Sequence, residues 1–319
     1  MTKALVSALW LALFTWVQPT PAQEVYPAKA LHIVVPIGAG GSADLGARVV
    51  ARKLAEDLGQ PVVVENRPGG NQVIGISAVQ GAPADGYTLL WTTSGIFAAS
   101  VVNKTVPFDA FKDFDPITLG GRTNAGIFVH NSVPVNSLES LVDYAKKNPG
   151  KLNFGSTGGS VTLLFQYFMQ TVGIDMTAVL YKSQPAVWLD FLSGEIQVMI
   201  ERPSVGKAQI TGKAKAVAVT GARRDPDMPD LPTVAELGYS GFEIDTWQAM
   251  FIKSGTPPER LAKIRSAMAR VMADPDVRKQ FVEIGVEPIG STPEELATLS
   301  RRDAARWKTV AAKSGFKAQ

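Results

Sequence analysis

Residues 31–67 contain the pattern that most limits how this chain can fold: an apolar run, a glycine-rich turn, an amphipathic stretch and a second apolar run. The runs LHIVV and VVVE are typical of buried strands, and the stretch between them has helical spacing. Two strands joined through a helix lie parallel in one sheet, so the segment predicts an α/β fold. The turn at residues 38–43 would direct backbone N–H groups at an anion.

The same turn fits two kinds of ligand site. Residues 38–43, GAGGSA, satisfy the dinucleotide pattern G-x-G-x-x-A, and Glu65 ends the next strand about 20 residues later, where that pattern places an acid. The turn would equally serve as a carboxylate-binding loop in an exported solute-binding protein. The choice is between an NAD-linked oxidoreductase and a binding protein, and other parts of the sequence bear on it.

The first 22 residues have the layout of a secretory signal peptide. Lys3 precedes an apolar run over residues 4–17, and residues 20–22, TPA, offer a cleavage site near Ala22. The run is shorter than the ~20 apolar residues that span a bilayer. We therefore expect export from the cytoplasm, where nicotinamide cofactors reside, and this expectation disfavours the oxidoreductase.

The residue inventory argues against several other classes. The chain has no cysteine, which excludes disulfides, thiolate zinc sites and cysteine nucleophiles. Its net charge of +3 comes without a basic tract, so we expect no nucleic-acid partner. Its two histidines, His32 and His130, lack metal-ligand spacing, and no G-x-S-x-G motif occurs. We therefore expect neither a metal site nor a secreted hydrolase.

Short β-rich runs alternate with helical patterns through the whole mature sequence. We predict ten strands, at residues 32–36, 62–65, 88–92, 116–119, 127–129, 152–155, 178–181, 196–200, 214–220 and 246–252. Their nearly continuous apolar character is typical of parallel sheets covered on both faces. Two lobes fit this length, and without a long linker the chain would cross between them near residues 119–127 and 245–248.

Three helix starts carry capping signals. Ser137 precedes a helical pattern from Leu138, and residues 256–259 and 292–295 have the order of a capping box.

Segments along the chain match one known family. They include Tyr26-Pro27-x-Lys29, IVVP at 33–36, GGSAD at 40–44, PVVVENRPGG at 61–70, DGYTLL at 85–90, NPGKLNFGSTG at 148–158, AVAVTGARR at 216–224, PDLPTVAELGY at 229–239, SGTPPE at 254–259 and EPIGSTPEEL at 287–296. Over essentially the whole mature chain, the sequence resembles the Bug family of periplasmic solute receptors, the TctC-like component of tripartite tricarboxylate transporters.

The resemblance implies a fold and a function. The fold would be an α/β clamshell like that of periplasmic binding proteins, each lobe a mostly parallel sheet flanked by helices. Residues 23–122 and 248–319 would form the first lobe and residues 123–247 the second, with the ligand cleft between them. The function would be that of a periplasmic, monomeric, non-enzymatic receptor without a cofactor, which captures a small carboxylate and presents it to membrane transporter subunits.

In the first lobe, candidate ligand contacts follow two strands. Gly40, Gly41, Ser42 and Ala43 supply the N–H groups of the turn; the alternative is a tight turn that only packs on the sheet. The family commonly has Pro at position 39 and Thr at 43, so Ala43 brings no side-chain donor. We expect Asp44 to brace the helix rather than touch an anion.

The second strand end of this lobe carries hydroxyl groups. The candidate segment is Thr92-Thr93-Ser94-Gly95 at the end of the strand at 88–92, with Thr92 and Ser94 as predicted ligand contacts. It lies at the edge where open α/β sheets bind ligands; the alternative is helix capping by Ser94. In the second lobe, Ser156, Thr157, Gly158 and Ser160 repeat the glycine-rich strand-to-helix turn. This repetition favours two lobes that face one anionic ligand.

Three further positions bear on the rest of the ligand. Lys182 ends a strand and is either a cleft cation or a solvated surface charge. Glu201 and Arg202 stand where the family has an acid followed by Asn. Arg202 would grip a second carboxylate, braced by Glu201, or lie on the rim paired with it.

Two aromatic residues complete the predicted site. The family often places an aromatic residue at the position of Trp247, and Phe97 adds apolar bulk near the first lobe's loop. Together with the charged positions they favour an aliphatic or aromatic dicarboxylate.

Overall fold

A computed structural model describes residues 25–103, 105–157, 159–210 and 212–314. The predicted signal peptide, residues 1–22, lies outside the described residues. The strands are β1 (Leu31–Val35), β2 (Val62–Asn66), β3 (Thr88–Thr93), β4 (Phe114–Thr123), β5 (Gly126–His130), β6 (Asn153–Ser156), β7 (Thr177–Leu180), β8 (Val198–Glu201), β9 (Ala214–Val219), β10 (Thr246–Lys253) and β11 (Glu287–Pro288). The helices are α1 (Ser42–Leu58), α2 (Val73–Gly81), α3 (Gly95–Val102), α4 (Leu138–Lys147), α5 (Gly159–Val172), α6 (Gln184–Ser193), α7 (Pro203–Gln209), α8 (Pro258–Ala273), α9 (Pro275–Glu283) and α10 (Pro293–Ser314).

The strands form two sheets, which correspond to two lobes. The first has six strands in the order β11-β4-β10-β3-β1-β2, and the second has five in the order β7-β6-β8-β5-β9. Each of the ten predicted strands has a counterpart, and the two-residue β11 was not predicted. The chain passes to the second sheet between β4 and β5 and returns at β10, as expected for crossings near 119–127 and 245–248.

The fold class is confirmed, but the sheets are less parallel than expected. In the first sheet β1 pairs parallel with β2 and β3, whereas β10 pairs antiparallel with β3 and β4. In the second sheet β6 pairs parallel with β7 and β8, and β5 is antiparallel to β8 and β9. The sheets are mixed because the strands beside each crossing enter their sheet from the opposite lobe.

Both faces of the first sheet are covered by helices. Along β1, Ile33 and Val35 pack in a core with α1, α8 and α9, while Val34 packs in the core that holds α2, α3 and α10. This alternation is the period-2 direction of strand side chains, and it explains the continuous apolar run of β1.

The face with α3 and α10 is also where the lobes pack together. One continuous apolar core includes Ala99 of α3, Phe165 of α5 and Trp307 of α10. Gln170 of α5 donates a hydrogen bond to the carbonyl of Val310 at 3.1 Å. The C-terminal helix therefore contacts both lobes, so the boundary that assigns residues 248–319 to the first lobe alone stays a proposal.

The capping predictions have mixed outcomes. The Ser137 side chain accepts the N–H of Ser140 in a capping box, and Thr292 and Glu295 bond reciprocally at 3.2 and 2.8 Å. The box at residues 256–259 is wrong, because the Thr256 hydroxyl donates to the carbonyl of Lys253 and the helix begins after Pro257 without a side-chain cap. Among the described residues, no helix is both long and apolar enough to cross a membrane.

Candidate ligand-binding cleft

The carboxyl ends of strands from both sheets face each other across a cleft of about 760 Å³. The cleft is lined by residues that directly follow β1, β2, β3, β6 and β7, namely Pro36, Ile37, Gly38, Pro68, Gly69, Asn71, Gln72, Gly95, Ala98, Ala99, Thr157, Lys182, Ser183 and Gln184. This is the edge at which open α/β sheets bind ligands. The walls are mostly apolar or amide-bearing, and Lys182 is the one charged residue among the lining residues that the structure describes.

The turn before α1 is held open by a side-chain network beneath it. Gly40 has φ +88°, in the left-handed region, and its N–H donates to Asp44 Oδ2 at 2.9 Å. Asn66 Nδ2 donates to Asp44 Oδ1 at 2.9 Å and to the carbonyl of Ile37 at 3.1 Å. Arg48 donates to Asp44 and to Asn66. Asp44 therefore braces the turn, which agrees with the expectation from the sequence.

The Asp44 carboxyl is ionised despite its burial. Removal from water opposes ionisation, but hydrogen bonds from Arg48, the Gly40 N–H and Asn66 outweigh that cost, so the pKa of Asp44 is lowered. The negative charge of Asp44 is therefore compensated by hydrogen-bond donors within the network. The turn above it, Gly38 to Gly41, is exposed.

The N–H groups of this turn divide into two sets. Gly40 was predicted to contact the ligand, but its N–H is bonded to Asp44, so it is a structural group here. Gly41 is the N-cap of α1 and makes no side-chain cap, which leaves the first-turn amides of Gly41, Ser42 and Ala43 without helical partners. That the N–H groups of these three residues bind the ligand stays a prediction, which no longer includes Gly40.

Thr92 is not positioned as predicted. It is fully buried, and its hydroxyl donates to Gln72 Oε1 at 2.7 Å. The next residue, Thr93, is half-buried beside the cleft and accepts hydrogen bonds from Gln72 and Gly95. Thr93 is not among the described residues that line the cleft, but both of its hydrogen-bond partners, Gln72 and Gly95, line it.

Ser94 is also largely committed to the fold. It is buried, and its N–H donates to the carbonyl of Trp247 at 3.0 Å, which ties the end of β3 to the start of β10. Its side chain makes no cap at α3, so the capping alternative is wrong as well.

Phe97 and Trp247 belong to the core rather than to the cleft. Their side chains are 3% and 1% exposed, and their rings lie 6.0 Å apart in a cluster with Phe111 and Phe251. The indole N–H of Trp247 donates to Asp303 Oδ2 of α10 at 2.7 Å. Both predicted ligand contacts are therefore corrected, because both faces of this sheet are covered and β10 points Trp247 into the α3–α10 core.

In the second lobe, the turn after β6 contributes one described contact. Ser156 is buried and its hydroxyl is bonded to Thr162 at 2.8 Å, whereas Thr157 is exposed and lines the cleft. Gly158 lies outside the described residues. Ser160 belongs to α5, and its side chain lies outside the described part of the chain.

Lys182 is the cation of the cleft. It follows β7, is exposed and lines the cleft from the second lobe. Its ammonium forms no ion pair or hydrogen bond with any residue that the structure describes. A cation without an internal partner is available to a carboxylate.

Glu201 and Arg202 do not form the pair that was predicted. Glu201 accepts the Gln184 amide at 2.9 Å and the backbone N–H of Arg202 at 2.8 Å. The Arg202 guanidinium instead reaches the other lobe, where it donates to the carbonyl of Ile284 at 3.4 Å. Arg202 therefore joins the two lobes here, and its guanidinium is not paired with the Glu201 carboxylate. Its contact with a second carboxylate stays a prediction.

Glu65, the acid that the dinucleotide-binding alternative requires, is bonded to other residues of the protein. Glu65 is bonded to His32 Nδ1 at 2.5 Å and to Arg67 Nη2 at 2.8 Å. The pKa of Glu65 is lowered by the hydrogen bonds from Arg67 and His32. A carboxylate engaged on both oxygens is not free to bind a ribose.

Residues of two loops line the cleft without having been predicted there. Asn71 and Gln72 follow β2, and Ser183 and Gln184 follow β7. The Pro-Gly-Gly stretch at 68–70 signals a turn in the sequence, but nothing in it predicts that Asn71 and Gln72 adopt positive φ. Among the described residues, no group of His, Asp and Glu is arranged to hold a metal ion.

Comparison with known proteins identifies close relatives of the chain. The model of the tripartite tricarboxylate transporter family receptor matches residues 46–316. The protein BugT of Bordetella pertussis is 31% identical over 323 residues, covering 99% of both chains. The periplasmic binding protein BugD has a similar structure, with a TM-score of 0.77, 31% identity and coverage of 92% of this chain and 100% of BugD.

A structure with a bound ligand is similar too. Rpa4515 of R. palustris, solved with adipate, gives a TM-score of 0.79 at 32% identity, covering 92% of this chain and 100% of Rpa4515.

Proposed function

The chain belongs to the tripartite tricarboxylate transporter family of receptors, and from that premise we propose that it captures a small dicarboxylate between its lobes. The family consists of periplasmic solute-binding receptors rather than enzymes. The predictions of family and of a non-enzymatic function are thereby confirmed.

One observation carries the choice of ligand. Among the described residues that line the cleft, Lys182 is the single charged side chain, and none is an acid. Across the cleft, the lining residue Gly38 opens the turn that leads to the first-turn amides of α1, which carry a partial positive charge. The Lys182 ammonium in the second lobe and the start of α1 in the first lobe therefore each favour a negatively charged group of the ligand.

The walls between these elements favour an apolar ligand body. Pro36, Ile37, Pro68, Ala98 and Ala99 line the cleft and offer no side-chain hydrogen bond. A hydrocarbon spacer with a carboxylate at each end matches this arrangement, since apolar surface is buried in the middle and charge is met at the ends. Adipate, which is bound in the relative Rpa4515, has this chemistry.

Membership of this family supports a proposal for the location and the partners of the protein. Residues 1–22 would direct the chain to the periplasm and be removed near Ala22. The mature receptor, a monomer, would deliver its ligand to the membrane subunits of a tripartite transporter. The lobe boundaries proposed above, 23–122 with 248–319 and 123–247, put the ligand in the cleft between the lobes.

A thermal-shift panel tests this proposal. The mature protein, residues 23–319, is screened with adipate, succinate, phthalate, malate, benzoate and aspartate, with NADH as a control. A ligand at about 100 times its Kd adds roughly 2.7 kcal/mol to the free energy of unfolding, which raises the Tm measurably. The largest shift is expected with a diacid such as adipate. A shift with NADH alone, or none with any carboxylate, contradicts the proposal.

A further inference from the structure

Two consecutive residues at the edge of the cleft adopt a backbone conformation that is unusual for them. Asn71 has φ 51° and Gln72 has φ 76°, and neither is a glycine. Left-handed conformations cost free energy for residues with a Cβ and tend to be retained where they serve a site. Here they carry the Gln72 side chain across to the end of β3.

The Gln72 amide bonds to both threonines at the end of β3. Its Oε1 accepts the hydroxyl of the buried Thr92 at 2.7 Å. Its Nε2 donates to Thr93 Oγ1 at 2.9 Å. The backbone N–H of Gly95 also donates to Thr93 Oγ1, at 3.3 Å.

These bonds determine what Thr93 has left to offer. A hydroxyl has two acceptor lone pairs and one donor proton. Both lone pairs of Thr93 are used, by Gln72 and by Gly95, so only its O–H proton remains. Thr93 is half-buried, and both of its bonding partners line the cleft. The donors and acceptors thus follow one direction, from Thr92 through Gln72 to Thr93. The last group in this series, the Thr93 hydroxyl, still has its proton to donate.

Gly95 fits the same arrangement. A Cβ at position 95 would collide with Gln72 Nε2 and would lie 3.1 Å from Gln72 Cδ. The amide therefore occupies the space that any larger residue at position 95 would need. Gln72 and Gly95 are matched to each other in shape as well as in hydrogen bonding.

We propose that Gln72 is a positioning residue that fixes the Thr93 hydroxyl as a hydrogen-bond donor to a carboxylate oxygen of the ligand. This inference rests on the proposed function, since it requires an anionic ligand in the cleft. Within the predicted segment at residues 92–95, it assigns the ligand contact to Thr93 in place of Thr92.

An isosteric substitution reverses the direction of the bonds. In Gln72→Glu, an ionised carboxylate accepts from both threonines, so the Thr93 proton turns away from the ligand. The matched control is Asn71→Asp, which adds the same charge one residue away, at an exposed position that also tolerates a left-handed Asp. By isothermal titration with adipate at pH 7.5, we expect Gln72→Glu to bind at least about tenfold more weakly than Asn71→Asp, since a hydrogen bond to a charged group is lost.

Two further measurements separate positioning from a structural effect. In a Thr93→Val background, which lacks the hydroxyl, Gln72→Glu and Asn71→Asp are expected to bind adipate equally. As the pH falls from 7.5 toward about 4, a growing fraction of the carboxyl groups introduced by Gln72→Glu gains a proton and can again accept from Thr92 and donate to Thr93, so the ratio of the two Kd values should decrease. Equal urea midpoints of the two single variants show that folding is unchanged.

The outcomes distinguish this inference from the proposed function. Equal Kd values for Gln72→Glu and Asn71→Asp in the presence of Thr93, or a ratio that persists in the Thr93→Val background, overturn the inference while the wild type still binds adipate. Failure of the wild type to bind any acid of the panel overturns both.

Discussion

The carboxylate of Asp44, in the first turn of α1, accepts the backbone N–H of Gly40 in the turn before it, at 2.9 Å. This bond uses a negative charge to shape a loop that is proposed to bind a negative ligand. The arrangement works because Arg48 and Asn66 also bond to Asp44, so its charge is compensated from within the protein. The amides one residue further along remain available.

Replacing Asp44 by Asn is expected to destabilise the protein. One oxygen becomes an NH₂ group that faces donors, which leaves buried N–H groups unsatisfied and costs about 1–3 kcal/mol. Adipate binding should weaken as the turn loosens. Urea unfolding at pH 7 measures the loss, with the exposed Asp143→Asn as a control expected to change stability by less than about 0.5 kcal/mol.

The contribution of Asp44 to the free energy of unfolding also depends on pH, and it decreases in acid. Because its folded-state pKa lies below the ordinary 3.8, its contribution is present above that value and is lost as the pH falls through the lowered pKa. The stability difference between wild type and Asp44→Asn should therefore shrink in acid below about pH 4. A difference that stays constant down to pH 2 would contradict this assignment.

Lys182→Met is expected to discriminate diacids from monoacids. Loss of the ammonium should weaken adipate binding about tenfold, because a charge-assisted contact to the second carboxylate disappears. Benzoate, with one carboxylate, should change less than about threefold. Lys151→Met is the matched control, since Lys151 is exposed in the same lobe but precedes β6, at the end away from the cleft. Equal losses of affinity for adipate and benzoate would show that Lys182 does not bind the second carboxylate.

Asp245 lies next to β10, where the chain returns to the first lobe, and burial raises its pKa to about 6. Arg122, 3.7 Å away, opposes this shift, while Glu243, Glu287 and Asp303 add to it. The folded state thus binds this proton more tightly than the unfolded chain does. Stability should therefore fall as the pH rises from about 4 to about 6 and stay lower above that.

Asp245→Asn removes this penalty. We expect it to gain ~1–2 kcal/mol over wild type at pH 7.5, less than the ~3 kcal/mol that the full shift would give. The gain should vanish near pH 4, where the wild-type carboxyl is protonated. Urea unfolding at the two pH values measures it, and a variant that is less stable at pH 7.5 would refute the prediction.

Trp247→Phe should affect stability more than ligand binding. It removes the hydrogen bond to Asp303, which is buried, and leaves a cavity, for a combined cost of about 2–4 kcal/mol. Adipate affinity should change less than about threefold, because Trp247 does not line the cleft. Asp303→Asn keeps an acceptor for the indole and should cost less. Loss of adipate binding with normal stability would restore Trp247 as a ligand contact.

The sequence predicts the parts of the cleft that depend on local chemistry. Glycines and a helix start at 38–43 define the turn, the position of Asp44 predicts a brace, and Lys182 at a strand end predicts a cation at the sheet edge. Each of these inferences needs only neighbouring residues. Such inferences from neighbouring residues therefore suffice for the turn before α1 and for the charged residue at the sheet edge.

The parts that depend on tertiary packing could not be predicted in the same way. The spacing of Thr92 and Thr93 shows that they alternate along the strand, but not that the Gln72 amide bonds both hydroxyls and that Thr92 is fully buried. The family resemblance assigns Trp247 to the ligand, and position near the loop assigns Phe97, but neither shows whether the ring lines the cleft or packs behind it. The role of Gln72 depends on a positive φ in a residue that rarely adopts it.

A crystal structure of the mature protein with adipate tests the central claim most directly. One carboxylate is expected within ~3 Å of the N–H groups of Gly41, Ser42 or Ala43, and the other at a similar distance from Lys182 Nζ. The hydrocarbon chain should lie against Ile37 and Ala98. Adipate bound elsewhere, for instance in a pocket lined by Arg122, Asp245 and Glu287, would contradict a carboxylate site built from the α1 turn and Lys182.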